Sequence, residues 1–199
     1  MTQTMTYSKT YITYSREELI EKVSSQMSKK RFEHVLRVEK KACFLADLYQ
    51  VDVEKASIAA LTHDYAKERP DEEMISLIKA RNFNQELLEY GYAIWHGVVG
   101  AHLVKEELEI SDKDILEAIE LHTTGAAKMS ELAKVIYVAD YIEDGRNFNG
   151  VEEARKLAEE NLDKAVAFET KHTLLYLIGK GFKVYPKTIE TYNRWVAQN

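Results

Sequence analysis

From Ser15 onward, apolar side chains recur at intervals of three and four residues, and no stretch sustains the strict alternation of a half-buried strand. That pattern restricts the chain to packed helices. Residues 30–49 show it most clearly, with Val35, Val38, Ala42, Leu45, Ala46 and Tyr49 on one stripe. Breakers are few: two prolines and eight glycines, in a chain rich in Ala, Glu, Lys and Leu. The expected fold class is therefore all-α, a single-domain helical bundle.

Local signals divide the chain into segments. Ser15 and Glu18 form a capping box that opens a first helix, and the second covers about 30–49. A third helix is expected over roughly 52–67, stopping near Pro70, and a fourth over 71–82. A longer one spans about 84–108, with Gly91 and Gly97 as places where it can kink. Ser111 opens another, running to about His122 and breaking at Gly125. A strongly apolar helix follows at 130–144. One charged helix is expected from about 151, turning apolar at 174–178 before Gly179 and Gly181, and a last short one over 187–197. Residues 1–15, polar and rich in Tyr and Thr, read either as a floppy leader or as an extended segment laid on a domain of residues 16–199.

The 199 residues can bury a proper core. The lone Cys43 rules out an intrachain disulfide and fits a reducing, cytoplasmic setting. No apolar run approaches the roughly 18–20 residues of a membrane span. A net charge of −6 argues against a general nucleic-acid binder, which needs a basic face, but leaves room for a small phosphorylated ligand held by a few local cations.

The residues that demand explanation are polar ones in apolar surroundings. His63 and Asp64 follow the run Ser57-Ile58-Ala59-Ala60-Leu61. His34 shares the buried stripe of its helix, His96 lies in WHGVVGAH, His122 ends ILEAIELH, and Asp140 interrupts VIYVADYIE. An unpaired polar or charged group buried in such places costs several kcal/mol. Taken singly, each has an ordinary explanation: a hydrogen-bonded core histidine, a buried acceptor, or a charge at a helix C-terminus. Five helices each presenting a His or Asp at an apolar boundary are explained together by one shared cation. Nitrogen and oxygen donors without cysteine suit Fe, Mn or Zn in an open site. Adjacent side chains on a helix point about 100° apart, so His63 and Asp64 can line one cavity, with Asp64 free to bridge to a second ion or a water. Lys67 lies one turn further on, Arg69 is near, and Arg146 stands six residues after Asp140; these cations could grip phosphate. Lys183 and Lys187 flank Pro186 and read at least equally well as solvated residues. His102 and His172 read as structural, and Tyr65, Tyr90, Tyr92, Tyr137 and Tyr141 as core and rim packing, with one free to stack on a base.

The order H…HD…H…H…D resembles the HD-domain metal-dependent phosphohydrolase superfamily. The words HDYAKERP, WHGVVGAH, LHTTG and VADYIEDGR are similar to its YqeK-type branch, bacterial symmetrical bis(5'-nucleosyl)-tetraphosphatases that split diadenosine tetraphosphate into two ADP. The resemblance covers nearly the whole chain from about residue 20. It implies a metal, commonly iron, with manganese, cobalt or zinc as alternatives, held by His34, His63, Asp64 and Asp140. It places His96 and His122 on the phosphate side or at a second metal. It puts nucleotide contacts on Arg31, on Lys67, Glu68, Arg69 and Pro70, on Arg146, and on Lys183, Val184, Tyr185, Pro186, Lys187 and Thr188.

The expected chemistry is hydrolysis of a phosphoric anhydride, with Asp64, Lys67, His96 and His122 as the catalytic group. The small-molecule partner would be a dinucleoside polyphosphate or ADP; no nucleic-acid polymer and no membrane is expected, and a homodimer is compatible. Two rivals share the motif order: another HD phosphohydrolase, such as a nucleotidase or cyclic-nucleotide phosphodiesterase, and a non-catalytic nucleotide-sensing bundle.

Overall fold

The computed structural model describes residues 5–197. Among these, ten α-helices and one short 3₁₀ helix occur, with no strand. They are α1 (Arg16–Ser24), α2 (Lys29–Leu48), α3 (Val53–Thr62), α4 (Asp71–Ala80), the 3₁₀ turn Gln85–Glu89, α5 (Tyr92–Glu107), α6 (Lys113–Leu121), α7 (Glu131–Ile142), α8 (Val151–Glu160), α9 (Leu162–Gly179) and α10 (Pro186–Trp195). No helix among the described residues is long and apolar enough to cross a membrane.

Helix α7 organises the bundle. It buries Leu132, Ala133, Val135, Ile136, Tyr137, Val138, Ala139 and Ile142, and so is apolar nearly all round. A helix of that kind must be surrounded. Here α2, α3, α6, α8 and α9 all pack against it. The Ser15 capping box forms as expected, with Ser15 accepting from the Glu18 N–H and Glu18 accepting from the Ser15 N–H. Residues 5–15 form an irregular segment that lies on the bundle, bending at Lys9, whose φ is +66°: Tyr7 and Ile12 are buried in the core. The Tyr7 hydroxyl meets Ser57 Oγ at 2.8 Å, and Ser57 in turn donates to Glu39 at 2.6 Å.

Three expected helices end differently. Helix α3 stops at Thr62 rather than near 67, because the His63 ring takes a carbonyl that a further turn would use. His63 Nδ1 lies 2.6 Å from Ala60 O, the acceptor that the Asp64 N–H would need. Residues 63–69 then continue in tight turns, Tyr65 bonding back to Thr62 and Lys67 to Asp64. The expected helix over 84–108 divides at Gly91, whose φ of +75° favours glycine and leaves the α-helical region. The charged segment from 151 is two helices, since Asn161 takes an extended conformation and its side chain caps α9 by accepting from the Lys164 N–H.

Candidate metal centre

Five elements bring their polar residues to one point beside the C-terminal half of α7. His34 comes from α2, His63 and Asp64 from the turn after α3, His96 from α5, His122 from the end of α6, and Asp140 from α7. His63, Asp64, His96 and His122 are no more than 2% exposed, and His34 is 7% exposed. Gly97 permits the approach of α5 to α6 that pairs His96 with His122: a Cβ there would stand 2.9 Å from Glu120 O.

The four imidazoles share one arrangement. Their Nδ1 atoms lie on acceptors: His63 on Ala60 O at 2.6 Å, His96 on Tyr92 O at 2.8 Å, His122 on Ile119 O at 2.7 Å and His34 on Glu143 Oε1 at 3.2 Å. Carbonyls and carboxylates only accept, so each Nδ1 carries a proton and each Nε2 is left to face the cluster. There the Nε2 atoms of His34 and His63 are buried without a hydrogen-bond partner. His34 Nε2 stands 3.1 Å from Asp140 Oδ1, and His96 Nε2 stands 3.0 Å from His122 Nε2. Lone pairs facing one another at these distances require a proton or a cation between them. Candidate ligand atoms fall in three overlapping sets, each within 4.8 Å: His34, His63 and Asp64; His63, His122 and Asp140; Asp64, His96 and His122. Tied Nδ1 atoms, orphaned Nε2 atoms and convergent carboxylates are what a divalent metal needs. The residues fit one.

Asp64 joins the sets. Its Oδ2 lies 3.5 Å from His63 Nε2 and 3.7 Å from His34 Nε2, while Oδ1 lies 3.4 Å from His96 and 3.7 Å from His122. Burial works to raise the carboxyl pKa of Asp64 and Asp140, yet His63 at the first, and His34 with Arg146 at the second, hold both far below the usual range. Burial also opposes charge on His63, but Asp64 and then Asp140 overcome it and raise its pKa, a sign of the negative potential at that point. His96 is pushed well down by burial, then by Lys67 and His122, and so is neutral.

Cations surround the carboxylates. Arg31 donates to Asp64 at 2.9 Å, Arg146 to Asp140 at 2.6 Å and Arg37 to Glu143 at 2.6 Å. Lys67 Nζ stands 3.0 Å from His96 Nε2. Arg31, Arg37 and Arg146, with Lys30, His34 and Glu143, line a cleft of about 290 Å³. A larger cavity of about 600 Å³ adjoins His122, Asp140 and Arg146.

Other residues expected at the site are held by partners outside the six-residue cluster. Glu68 accepts from the Ser28 N–H and hydroxyl at the start of α2. Arg69 is held by Glu107 at 2.6 Å and Glu73 at 2.9 Å, and Pro70 is the N-cap of α4. Lys183 lies near Glu89 and Lys187 on Glu120, Thr188 is buried, and no residue from Lys183 to Thr188 lines either cavity at the cluster. Tyr185 and Lys187 instead line a separate groove of about 580 Å³ along α5 and α6. Conversely, Glu143 and Arg37 belong to the site although nothing singled them out in the sequence. Glu143 follows Asp140 by three residues and Arg37 follows His34 by three, each one turn away on the same face.

The model of the family described as HD domain matches residues 31–145, a span that contains every one of the six convergent His and Asp residues. The chain belongs to the HD-domain family. A symmetrical bis(5'-nucleosyl)-tetraphosphatase of Bacillus subtilis is 45% identical over 92% of this chain and 98% of its own length. One of Halalkalibacterium halodurans is 41% identical over the same shares. The crystal structure of a predicted HD superfamily hydrolase involved in NAD metabolism, from Clostridium acetobutylicum, superposes with a TM-score of 0.87 at 40% identity, covering 92% of this chain and 97% of that one. As an HD-domain protein, the chain carries its motif residues on five different helices or helix ends, and the bundle around α7 is what closes them into one cluster.

Proposed function

We propose that this protein is a metal-dependent hydrolase that splits diadenosine tetraphosphate symmetrically into two ADP. One observation carries the reading: buried, unpartnered histidine Nε2 atoms converge with Asp64 and Asp140 beside a wall of Arg31, Lys67 and Arg146. The relatives of like length are named for that reaction.

In this reading His34, His63, Asp64 and Asp140 hold the ion, and iron is the proposed metal, a choice in keeping with nitrogen and oxygen donors and no thiolate. Once bound, such an ion lowers the pKa of a coordinated water and polarises a phosphoryl oxygen. Asp64, whose two oxygens reach both halves of the cluster, orients the attacking water. The new P–O bond forms on the phosphate second from one nucleoside, and the bridging oxygen to the next phosphate leaves as the second ADP. Lys67 and Arg146 neutralise the charge that develops on the phosphoryl oxygens. His96 and His122 present the lone pairs of their Nε2 atoms to the same phosphate, where either can take the attacking water's proton and pass it to the departing oxygen. Arg31 holds Asp64 in place and lies on the route by which phosphates enter.

Asp64→Asn tests the assignment. It keeps the shape and removes the charge, and turnover should fall by about 10²–10³-fold, the cost scale of losing a transition-state-stabilising group. Retained metal-dependent turnover in this variant contradicts the assignment.

A further inference from the structure

The 600 Å³ cavity beside the cluster has walls unlike those of the phosphate cleft. Its volume falls within the roughly 300–1,000 Å³ of small-molecule sites. At its inner end stand His122, Asp140 and Arg146; outward, it runs between Tyr141 and Phe148 on one side and His172, Thr173 and Tyr176 of α9 on the other. Tyr141 and Phe148 lie 4.7 Å apart between ring centroids, and His172 stacks on Phe168 at 3.9 Å. Tyr176, at the mouth, is 58% exposed.

A buried polar group lines the same wall. Glu169 is 6% exposed and its Oε2 has no hydrogen-bond partner. Burial, followed by the nearby charge of Asp140, pushes its carboxyl well above the usual range, and its unpartnered oxygen is left to hydrogen-bond a ligand in the cavity. Glu169, Thr173 and Tyr176 occupy successive turns of one helix face, spanning roughly 10 Å from cluster to mouth. Sugar-sized polar contacts thus lie next to the phosphates, and aromatic surface lies beyond them.

A dinucleoside tetraphosphate cut at its centre puts its middle phosphates at the cluster, so its two nucleosides extend from that point in different directions. Cations bind the phosphates, whereas a nucleoside needs flat apolar walls and a few hydrogen-bonding groups. We propose that this cavity holds one of the two nucleosides, its base against Tyr141, Phe148, His172 and Tyr176 and its sugar hydrogen-bonded by Glu169 and Thr173. The proposal rests on the tetraphosphatase reading and adds to it a base-binding wall.

Tyr176→Ala and Phe148→Ala each remove one ring of that wall. Each should raise KM for diadenosine tetraphosphate at least about fivefold, the lower end of what base–aromatic stacking supplies. The kcat should stay within about twofold, as for loss of binding shared by ground and transition states. The inhibition constant of inorganic pyrophosphate, which has phosphates and no base, should not move. Tyr176→Phe keeps the ring and should keep the wild-type KM. An unchanged KM in both alanine variants, or an equal loss of pyrophosphate affinity, overturns the proposal. If the wild-type chain released no ADP, the activity reading alone would fail, and calorimetric titration of the metal-loaded protein with diadenosine tetraphosphate would still test the cavity. Weaker binding by Tyr176→Ala than by wild type supports it there; equal binding, or none by either, overturns it.

Discussion

Glu143 offers the sharpest mutational test of how the metal centre is built, because it touches a proposed ligand without being one. Its carboxylate is 2% exposed and serves three donors: His34 Nδ1 at 3.2 Å, Arg37 Nε at 2.6 Å and the Gly145 N–H at 2.5 Å. Glu143→Ala frees all three. Removing a carboxylate behind a ligating histidine typically lowers metal affinity by about 10–100-fold, or about 1.4–2.7 kcal/mol. Folding also suffers, though less than for a fully buried ion pair, because the Arg37 side chain is 38% exposed and regains water. A loss of about 1.5–3 kcal/mol is expected, the scale of charged hydrogen bonds. Glu143→Gln retains an acceptor for His34 and should recover part of the metal affinity. The assay is competition of metal-loaded protein against a chelator, run beside thermal melts of the metal-free forms. If Glu143→Ala kept wild-type metal affinity while its melting temperature fell, Glu143 would brace the fold only and would not orient His34 towards the ion.

Further outcomes follow from the same geometry. Lys67→Met removes the cation 3.0 Å from His96 and should lower kcat by about 10²–10³-fold, read by steady-state kinetics, with metal content unchanged. Gly97→Ala forces a Cβ to within 2.9 Å of Glu120 O and should destabilise by about 1–3 kcal/mol in denaturant titration. Asp112 caps α6 by accepting from the Asp114 and Ile115 N–H groups and pairs with Lys55. Burial opposes its charge, but Lys55 and these N–H donors outweigh that and depress its pKa. The stability it contributes is present above the ordinary carboxylate pKa and fades as pH falls below it. Asp112→Ala should therefore cost about 1 kcal/mol at neutral pH and the deficit should narrow in melts taken towards pH 3. Glu169 has the opposite sign: its folded pKa is raised, so the wild type loses stability as pH rises past the ordinary value. Melts of the metal-free proteins should show Glu169→Gln gaining on wild type between pH 5 and pH 7.

The helices were legible because three–four periodicity and N-caps are local properties; Ser15 caps as read, and the start read at Ser111 lies one residue on, where Asp112 is the cap. The ends that differed depend on a side chain that captures a backbone carbonyl, as His63 does, or on an unmarked cap such as Asn161 inside a run of charges. The convergence of His34, His63, Asp64, His96, His122 and Asp140 could be read ahead of the structure, since ionisable groups in apolar runs need a common partner. Cations were harder to place. Arg69 sits as close to His63 in sequence as a phosphate ligand would, yet Glu107, from another helix, holds it. Glu143 was hidden in the acidic run at the end of α7, where a carboxylate reads as solvated. His172 looked like an ordinary helix residue, and only the packing of α9 on α7 puts it on a cavity wall with Tyr141.

Product analysis tests the central reading most directly. Metal-loaded protein incubated with diadenosine tetraphosphate, and its products resolved by anion-exchange chromatography, should yield ADP alone. Formation of ATP together with AMP would contradict it.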